Sequence, residues 1–399
     1  MPNLLRGREE RVPVNPRDAR SIDQTAMRSP DVCAPAGFAM RGRLVRIRNQ
    51  NILFSPSRQA LYALNDMGGD IWRSLEDGLS PEAISFEIAS RGADRERAVE
   101  YVDAAVRQWE CQGLIELSPT WFSASSRCHV SQVVAVPGSC VRIVYPAAHA
   151  LPAATVFRHL EVREAVADVV LELFEHGDRI HLFRHRHWIH SCSSDELAVV
   201  LKGQLLTEVL ERSAHELAVH AAALVRDDRI LLLCGSPGAG KTTLAVGLLH
   251  AGFGFAGDDV TLLNSLGYGT GIPFAPAVKA GALPILANYC RDLDVAPVFR
   301  RADRRRVSYL LLKEFVSPTP RKVGWVVLLR RRTNARAVLA PVDPVDAVRG
   351  LLNGSFALGG ELTGTAFDAL TKVIESADVY CLTYSTLDDA IALLQKACR

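Results

Sequence analysis

The chain has 399 residues, enough for two or three domains, and 48% of them are hydrophobic, which suffices for buried cores. Its 46 basic and 44 acidic residues leave a formal net charge of +2, so no overall field argues for binding to nucleic acid or a membrane surface. The nine cysteines form no C-x-x-C pair, and no apolar run has the length of a membrane span or a signal-peptide core. We therefore expect a cytoplasmic protein with reduced thiols.

The N-terminal third of the sequence predicts a flexible lead-in and then a small domain. Residues 1–38 are rich in charge and carry five prolines, so we expect them to be poorly ordered. Between residues 39 and 118, alternating and apolar runs predict a three-stranded meander that ends with residues 59–64. Capping residues and helical spacing then predict three helices, at residues 67–75, 81–90 and 95–111. Such a winged-helix-like α+β module could bind a nucleic acid, a peptide or a neighbouring domain.

Four short sequence motifs stand out in this module: Ala63-Leu64-Asn65, Ile71-Trp72, Leu79-Ser80-Pro81-Glu82 and Gly113-Leu114-Ile115. Together they resemble the PqqD family of peptide-binding modules. The resemblance implies that the module captures the leader of a ribosomally synthesised precursor peptide. In that mode the leader adds a strand to an exposed sheet edge, here residues 59–64, beside the helix at residues 95–111. Neither a nucleic acid nor a membrane is expected as a partner.

The next segment, residues 128–217, is predicted to form a layer that packs on the following domain. Apolar runs predict strands and a long helix from Ser194 to about Arg212. Four histidines occur along two of the strands: His181, His185, His187 and His190. Their spacing places them on alternating faces and no carboxylate converges with them, so a surface hairpin is favoured over a metal site.

A glycine-rich stretch carries the clearest chemistry in the sequence. Residues 235–242, Gly-Ser-Pro-Gly-Ala-Gly-Lys-Thr, fit G-x-x-x-x-G-K-[ST]. A buried strand at residues 230–234 leads in, and a helix leads out, which places bound phosphates at a helix N-terminus. The pattern predicts an ATP and Mg²⁺ site in which Lys241 meets the outer phosphates and Thr242 meets the metal. The residues expected to bind the nucleotide are Gly235, Ser236, Pro237, Gly238, Ala239, Gly240, Lys241, Thr242 and Thr243.

A carboxylate pair follows the glycine-rich stretch after a short interval. Asp258 and Asp259 stand at the end of a strand, about twenty residues beyond Lys241. One acid could hold Mg²⁺ and the other could accept the proton of an attacking hydroxyl. Upstream, His220 lies in an apolar strand that turns back into the strand feeding the loop, which could bring His220 beside the nucleotide.

Together these features resemble the catalytic core of HPr kinase/phosphorylase and its kinase-like relatives. A later segment, residues 272–279, is similar to the proline-containing segment that those relatives carry before a lysine. The resemblance covers residues 128–399, with residues 218–399 as the catalytic core, and implies an α/β fold with a mixed-sheet, P-loop core. It implies four catalytic residues, Lys241, Asp258, Asp259 and His220, and two metal ligands, Thr242 and Asp259. The Arg-Gly-Leu-Gly signature of the enzymes that act on HPr is absent, so HPr is not the expected acceptor.

The C-terminal part of the sequence adds two arginine runs and an α/β ending. Arginines at residues 300–306 and 330–332 flank predicted strands, where they could stabilise transferred charge or form a solvated surface. Helices are expected at residues 345–352, 366–374 and 387–398, with a strand at residues 379–383.

The sequence thus predicts an ATP-dependent kinase that phosphorylates a serine or threonine of a captured precursor peptide. Two alternatives stay open. The acceptor could be a small hydroxylated metabolite or another protein, or the chain could be a nucleotide-gated peptide chaperone that transfers nothing. The carboxylate pair argues against the chaperone, because a pure binder does not need it. A homo-oligomer is compatible with the sequence.

Overall fold

The computed structural model describes residues 10–11, 38–56, 58–117, 129–176, 179–290, 295–301, 303–353, 355–356 and 362–399. Most of the lead-in predicted at residues 1–38 therefore lies outside the described residues. The described residues fall into two compact units, the first from Met1–Cys128 with Glu172–Ser191 and the second from His129–Leu171 with Cys192–Arg399. Residues 172–191, which the sequence analysis groups with the second domain, thus belong to the first unit.

The strands, in chain order, are β1 (Glu10–Arg11), β2 (Phe38–Met40), β3 (Arg43–Ile47), β4 (Gln50–Ser55), β5 (Ala60–Leu64), β6 (Ile115–Leu117), β7 (His129–Val136), β8 (Ser139–Pro146), β9 (Val169–His176), β10 (Arg179–Arg184), β11 (His187–Cys192), β12 (Leu217–Val219), β13 (Ala221–Arg226), β14 (Arg229–Cys234), β15 (Gly254–Gly257), β16 (Thr261–Leu263), β17 (Tyr268–Gly271), β18 (Ala277–Lys279), β19 (Val298–Arg300), β20 (Arg306–Tyr309), β21 (Arg321–Arg331), β22 (Val338–Pro341), β23 (Ser355–Phe356) and β24 (Asp378–Tyr384).

The helices are α1 (Asp66–Glu76), α2 (Pro81–Ser90), α3 (Arg95–Cys111), α4 (Ala147–Phe157), α5 (Leu197–Arg212), α6 (Lys241–His250), α7 (Leu283–Leu286), α8 (Pro344–Leu352), α9 (Gly364–Ser376) and α10 (Leu387–Ala397). Strands and helices are interspersed, so the architecture is mixed α/β, as predicted. Within the described residues, no helix combines the length and the apolar character that a membrane span requires.

The first unit contains the predicted meander and three helices almost residue for residue. Each helix begins after a side chain that accepts a hydrogen bond from a backbone N–H of its first turn: Asn65 for α1, Ser80 for α2 and Asp94 for α3. Trp72 and Trp109 are fully buried and pack edge to face, with ring centroids 5.1 Å apart. The aromatic core therefore ties α1 to α3.

The outer edge of β5 differs from the sequence expectation. The chain's own β1 pairs with it in antiparallel fashion, Glu10 opposite Leu61 and Arg11 opposite Ala60. The expected free edge at residues 59–64 is thus already paired over Ala60 and Leu61. An edge strand presents unpaired N–H and C=O groups, so any extended segment of the same chain can add to it.

A buried polar cluster explains why residues 172–191 join the first unit. His181 Nδ1, on β10, lies 3.0 Å from Glu110 Oε1 and 2.8 Å from Ser191 Oγ, and Ser191 donates its hydroxyl to Glu110. All three side chains are buried. The sequence predicts that the histidines lie on a surface hairpin, but His181 is buried. The hairpin itself is confirmed, with a tight turn at His185 and Arg186, both at positive φ.

The second unit is built on a ten-stranded mixed sheet. Its strand order is β15-β13-β14-β21-β17-β16-β12-β23, and β24 adds beside β21 and carries β22. The pairs β14 with β21 and β21 with β24 are parallel, whereas β13 with β14 is antiparallel. The centre of the sheet is therefore parallel and its flanks are antiparallel.

Helices cover both faces of this sheet, which explains the continuous apolar run of β14. Leu231 and Leu233 pack with residues of α6 and α10, while Ile230, Leu232 and Cys234 pack with residues of α8 and α9. Helix α4 is not predicted from the sequence, because Pro152 lies inside it and proline lacks the N–H that a helix interior needs. Helix α5 packs against α4 and β8, and its C-terminus leads to β12.

Candidate active site

The glycine-rich loop connects the buried end of β14 to the start of α6. Three glycines in it have positive φ: Gly235 at 153°, Gly238 at 90° and Gly240 at 95°. A Cβ on Gly240 would lie 2.5 Å from Tyr384 Oη, which donates to Ala239 O at 2.9 Å. Gly240 is also the N-cap of α6, and no side chain caps that end. The first-turn N–H groups of α6 thus lack the usual side-chain partner and can meet an anion.

Lys241 begins α6 and is buried, with 7% of its surface exposed. Its Nζ donates to Gly235 O at 2.7 Å. Burial lowers the pKa of Lys241, although the neighbouring Asp258 and Asp259 act in the opposite direction. A cation at the positive end of a helix is also unfavourable. The arrangement is therefore suited to an anion that compensates both the ammonium and the helix end.

Asp258 follows β15 and is directed at the first turn of α6. It is 2% exposed, and Thr242 Oγ1 lies 3.1 Å from each of its carboxylate oxygens. Burial, followed by the charge of Asp259, raises the pKa of Asp258 to about 7. A hydroxyl and a carboxylate side by side form an oxygen donor set of the kind that Mg²⁺ prefers, completed by substrate phosphates. Thr242 and Asp258 thus fit a nucleotide-bound Mg²⁺.

Asp259 points to a different neighbour, because its backbone has a φ of 77°. Its Oδ2 lies 2.5 Å from Lys202 Nζ, and its side chain is 41% exposed. Burial would raise the pKa of Asp259, but the charge and hydrogen bond of Lys202 outweigh burial and lower it. The two adjacent acids therefore differ in partner, exposure and charge state.

His220 interrupts the strand that the sequence predicts at residues 217–225, separating β12 from β13. It lines the same cavity as Lys241 and Asp259. Burial and then the charge of Lys241 lower the pKa of His220. The neutral imidazole is thus favoured beside the carboxylate pair.

His220, Lys241, Thr242 and Asp259 line one cavity of 540 Å³, and Asp258 contacts Thr242 without lining the cavity itself. Three further cations line it: Lys279 at the end of β18, Arg301 after β19, and Arg331 at the end of β21. The sequence analysis left the arginine runs open between function and a solvated surface. One residue of each run lines the cavity, whereas Arg306 and Arg330 are exposed and do not line it.

Lys202 and Tyr384 are the residues at the site that the sequence analysis missed. A signal for Lys202 did exist. Lysine is rare in this chain, with seven lysines among 46 basic residues, and Lys202 stands in the apolar context Val199-Val200-Leu201. Lys202, Lys241 and Lys279 all meet at this site. No comparable signal marks Tyr384, because one tyrosine at a strand end is common.

Comparison with known proteins bears on both parts of the chain. Residues 50–115 match a family described as "Coenzyme PQQ synthesis protein D (PqqD)". No curated protein matches the sequence. Among solved structures, the Hpr(Ser) kinase/phosphatase from Coxiella burnetii is a structural neighbour with 13% sequence identity. The alignment covers 45% of this chain and 97% of that chain. Its TM-score of 0.20 is too low to inform the fold. The PqqD resemblance is confirmed: the chain carries a PqqD family domain at residues 50–115.

Proposed function

We propose that the second unit transfers the terminal phosphoryl group of ATP to a serine or threonine hydroxyl of a ribosomally synthesised precursor peptide, which the PqqD domain captures through its leader. One observation carries the proposal. Lys241, Thr242 and Asp259 line one cavity at a helix N-terminus, and the buried Asp258 contacts Thr242 there, although these residues span 19 positions of sequence.

The glycine-rich loop and the first turn of α6 would hold the nucleotide. The backbone of residues 235–240 and the uncapped N–H groups of α6 suit the phosphates, and Lys241 would exchange its bond to Gly235 O for an outer phosphate. Thr243 lines the same cavity. Because Lys241 is buried beside the positive end of a helix, it contributes most when an anion is present.

The geometry supports Thr242 and Asp258 as the metal side of the site. The sequence analysis expects Asp259 to bind the metal with Thr242, but Thr242 contacts Asp258. Bound there, Mg²⁺ would neutralise phosphate charge. Asp258 and Thr242 hold their oxygens ready for it by hydrogen-bonding to each other.

Asp259 is then the better-supported base. It is more exposed than Asp258, and the charge of Lys202 keeps it ionised. Asp259 would accept the hydroxyl proton as the acceptor oxygen bonds to the terminal phosphorus, while the bond from that phosphorus to the bridging oxygen breaks and ADP leaves. His220 would tune Asp259 from its position on the same cavity.

The PqqD domain supports a peptide as the acceptor. Once β1 is displaced from Ala60 and Leu61, strand addition at β5 would provide main-chain hydrogen bonds along residues 59–64, and the neighbouring helix α3, residues 95–111, would contribute side-chain selectivity. Holding the peptide on the same chain as the active site raises its effective concentration to about millimolar.

The test incubates the full chain with MgCl₂, γ-³²P-labelled ATP and a peptide library with Ser, Thr or Tyr fixed at one position. An otherwise identical library with Ala there is the control, and millimolar peptide compensates for the missing leader. We expect label in the Ser or Thr library only, with one ADP formed per phosphopeptide. ATP binding with no ADP and no labelled peptide would refute the transfer and favour the chaperone. Label on free serine or glycerol, but not on peptides, would favour the metabolite kinase.

A further inference from the structure

Lys202 reaches the site from helix α5, far from the glycine-rich loop in sequence. Its Nζ lies 2.5 Å from Asp259 Oδ2, and only 12% of its side chain is exposed. The ammonium also lies 5.8 Å from the centroid of the Phe274 ring. Lys202 therefore occupies a closed position with one carboxylate as its direct ionic partner among the described residues.

A buried ammonium at this position needs a reason, because burial strongly disfavours an unpaired charge. Burial lowers the pKa of Lys202, but the charges of Asp259, Tyr309 and Asp258 together outweigh it, so the pKa is raised. A helix such as α5 could have been anchored with a leucine at no such cost. Retaining a lysine here is explained if the charge acts on the carboxylates.

The contact with Lys202 holds Oδ2 of Asp259 but does not involve Oδ1. Oδ2 is held by Lys202, while the side chain as a whole is 41% exposed and Asp259 lines the cavity. Asp258 cannot present an oxygen to an acceptor hydroxyl in the same way, because both of its carboxylate oxygens face Thr242. Asp259 Oδ1 is thus the carboxylate oxygen best placed to meet an incoming hydroxyl.

We propose that Lys202 is a positioning residue for phosphoryl transfer, which holds Asp259 Oδ2 so that Oδ1 is presented to the acceptor hydroxyl. This inference rests on the proposed function and extends it. Lys202 does not line the cavity proposed to hold the nucleotide, so its removal should affect the chemical step rather than nucleotide binding. Helix α5, which the sequence analysis assigns to a packing layer, then contributes to the active site.

The test replaces Lys202 by methionine, which keeps the apolar length and removes the charge. We expect kcat for labelled-peptide formation to fall about a hundredfold, with KM for Mg-ATP and the Kd of a non-hydrolysable ATP analogue within about threefold of wild type. Lys202→Arg restores the positive charge, so its kcat should be at least about tenfold higher than that of Lys202→Met. Lys372→Met is the matched control, since Lys372 Nζ donates to Ser265 O at 2.7 Å and does not line the cavity.

A double-variant cycle separates positioning from a merely structural role. In the Asp259→Asn background, adding Lys202→Met should change kcat by less than about threefold, because the carboxylate that it positions is gone. Full kcat in Lys202→Met, or a parallel loss of nucleotide affinity and kcat, overturns the inference. If wild-type protein labels no peptide, the proposed function fails instead. If Lys202→Met does not fold, the kcat of Lys202→Arg is compared with wild type, and the kcat of the double variant is compared with Asp259→Asn. The double variant leaves no unpaired acid.

Discussion

Thr242 Oγ1 lies 3.1 Å from each carboxylate oxygen of Asp258, which joins the first turn of α6 to the end of β15. The hydroxyl can donate to one of these oxygens at a time. Asp258 is buried, so its carboxylate has almost no contact with solvent. Two oxygen-bearing side chains that we propose as magnesium ligands are therefore already in contact with each other.

The first prediction concerns the metal. Asp258→Asn keeps an acceptor oxygen for Thr242 but removes the charge, so the MgCl₂ concentration for half-maximal phosphopeptide formation should rise at least about tenfold. A magnesium titration at saturating ATP measures it. An unchanged magnesium requirement with a kcat lowered about a hundredfold would instead assign the role of base to Asp258.

The second prediction concerns Lys241. Lys241→Ala should lower phosphopeptide formation by about a thousandfold, because it removes the charge that meets the outer phosphates. The melting temperature should not fall, since the wild-type ammonium is buried at the positive end of α6. Lys322→Ala, an exposed residue of β21, is the control and should retain activity. Wild-type turnover by Lys241→Ala would disprove the site assignment.

The third prediction concerns Gly240. Gly240→Ala should destabilise the second unit by about 1–3 kcal/mol, because it combines a φ of 95° with a Cβ that would lie 2.5 Å from Tyr384 Oη. Gly203→Ala in α5 meets nothing within 4 Å and should stabilise by about 0.5–1 kcal/mol. Urea unfolding measures both. Adding Tyr384→Phe to Gly240→Ala removes the contacting oxygen and should recover part of the loss; no recovery would assign the cost to backbone conformation alone.

The fourth prediction concerns pH and the buried cluster of the first unit. Burial raises the pKa of Glu110, but the hydrogen bond and charge of His181 and the bond from Ser191 outweigh it, so the pKa lies below its ordinary value of 4.5. Because the folded pKa is lowered, the carboxylate stabilises the fold above pH 4.5 and this stabilisation is lost as pH falls through the folded pKa. Glu110→Gln should thus cost stability at pH 7 and progressively less in acid.

Chemical unfolding between pH 3 and pH 7 tests this fourth prediction. Glu100→Gln, an exposed change on the same helix α3, is the control and should match wild type at each pH. A cost of Glu110→Gln that is independent of pH would mean that packing, not charge, is what the substitution disturbs.

Local signals account for what the sequence predicted well. The side chains of Asn65, Ser80 and Asp94 accept hydrogen bonds from backbone N–H groups three residues later. The starts of α1, α2 and α3 can therefore be predicted from a few neighbouring residues. The glycine-rich loop is equally local, since positive φ at Gly238 and Gly240 demands glycine.

Long-range contacts account for what the sequence missed. Lys202 is 57 residues from Asp259, and Tyr384 is 145 residues from Ala239, so no periodicity links them. The positive φ of Asp259 sends two consecutive acids to different partners, which a motif alone does not show. The sequence could therefore name the pair Asp258 and Asp259, but it grouped Thr242 with Asp259, whereas Thr242 contacts Asp258.

Under the proposed strand addition, the pairing of β1 with β5 would make the chain its own competitor for the leader peptide. A leader that adds a strand at Ala60 and Leu61 must first displace Glu10 and Arg11, which belong to the same molecule and never dilute away. The measured Kd for a leader would then equal the intrinsic Kd divided by the fraction of molecules whose edge is open. Removing residues 1–11 should tighten leader binding by that factor, and a long leader that also engages α3 should feel the competition less than a short one.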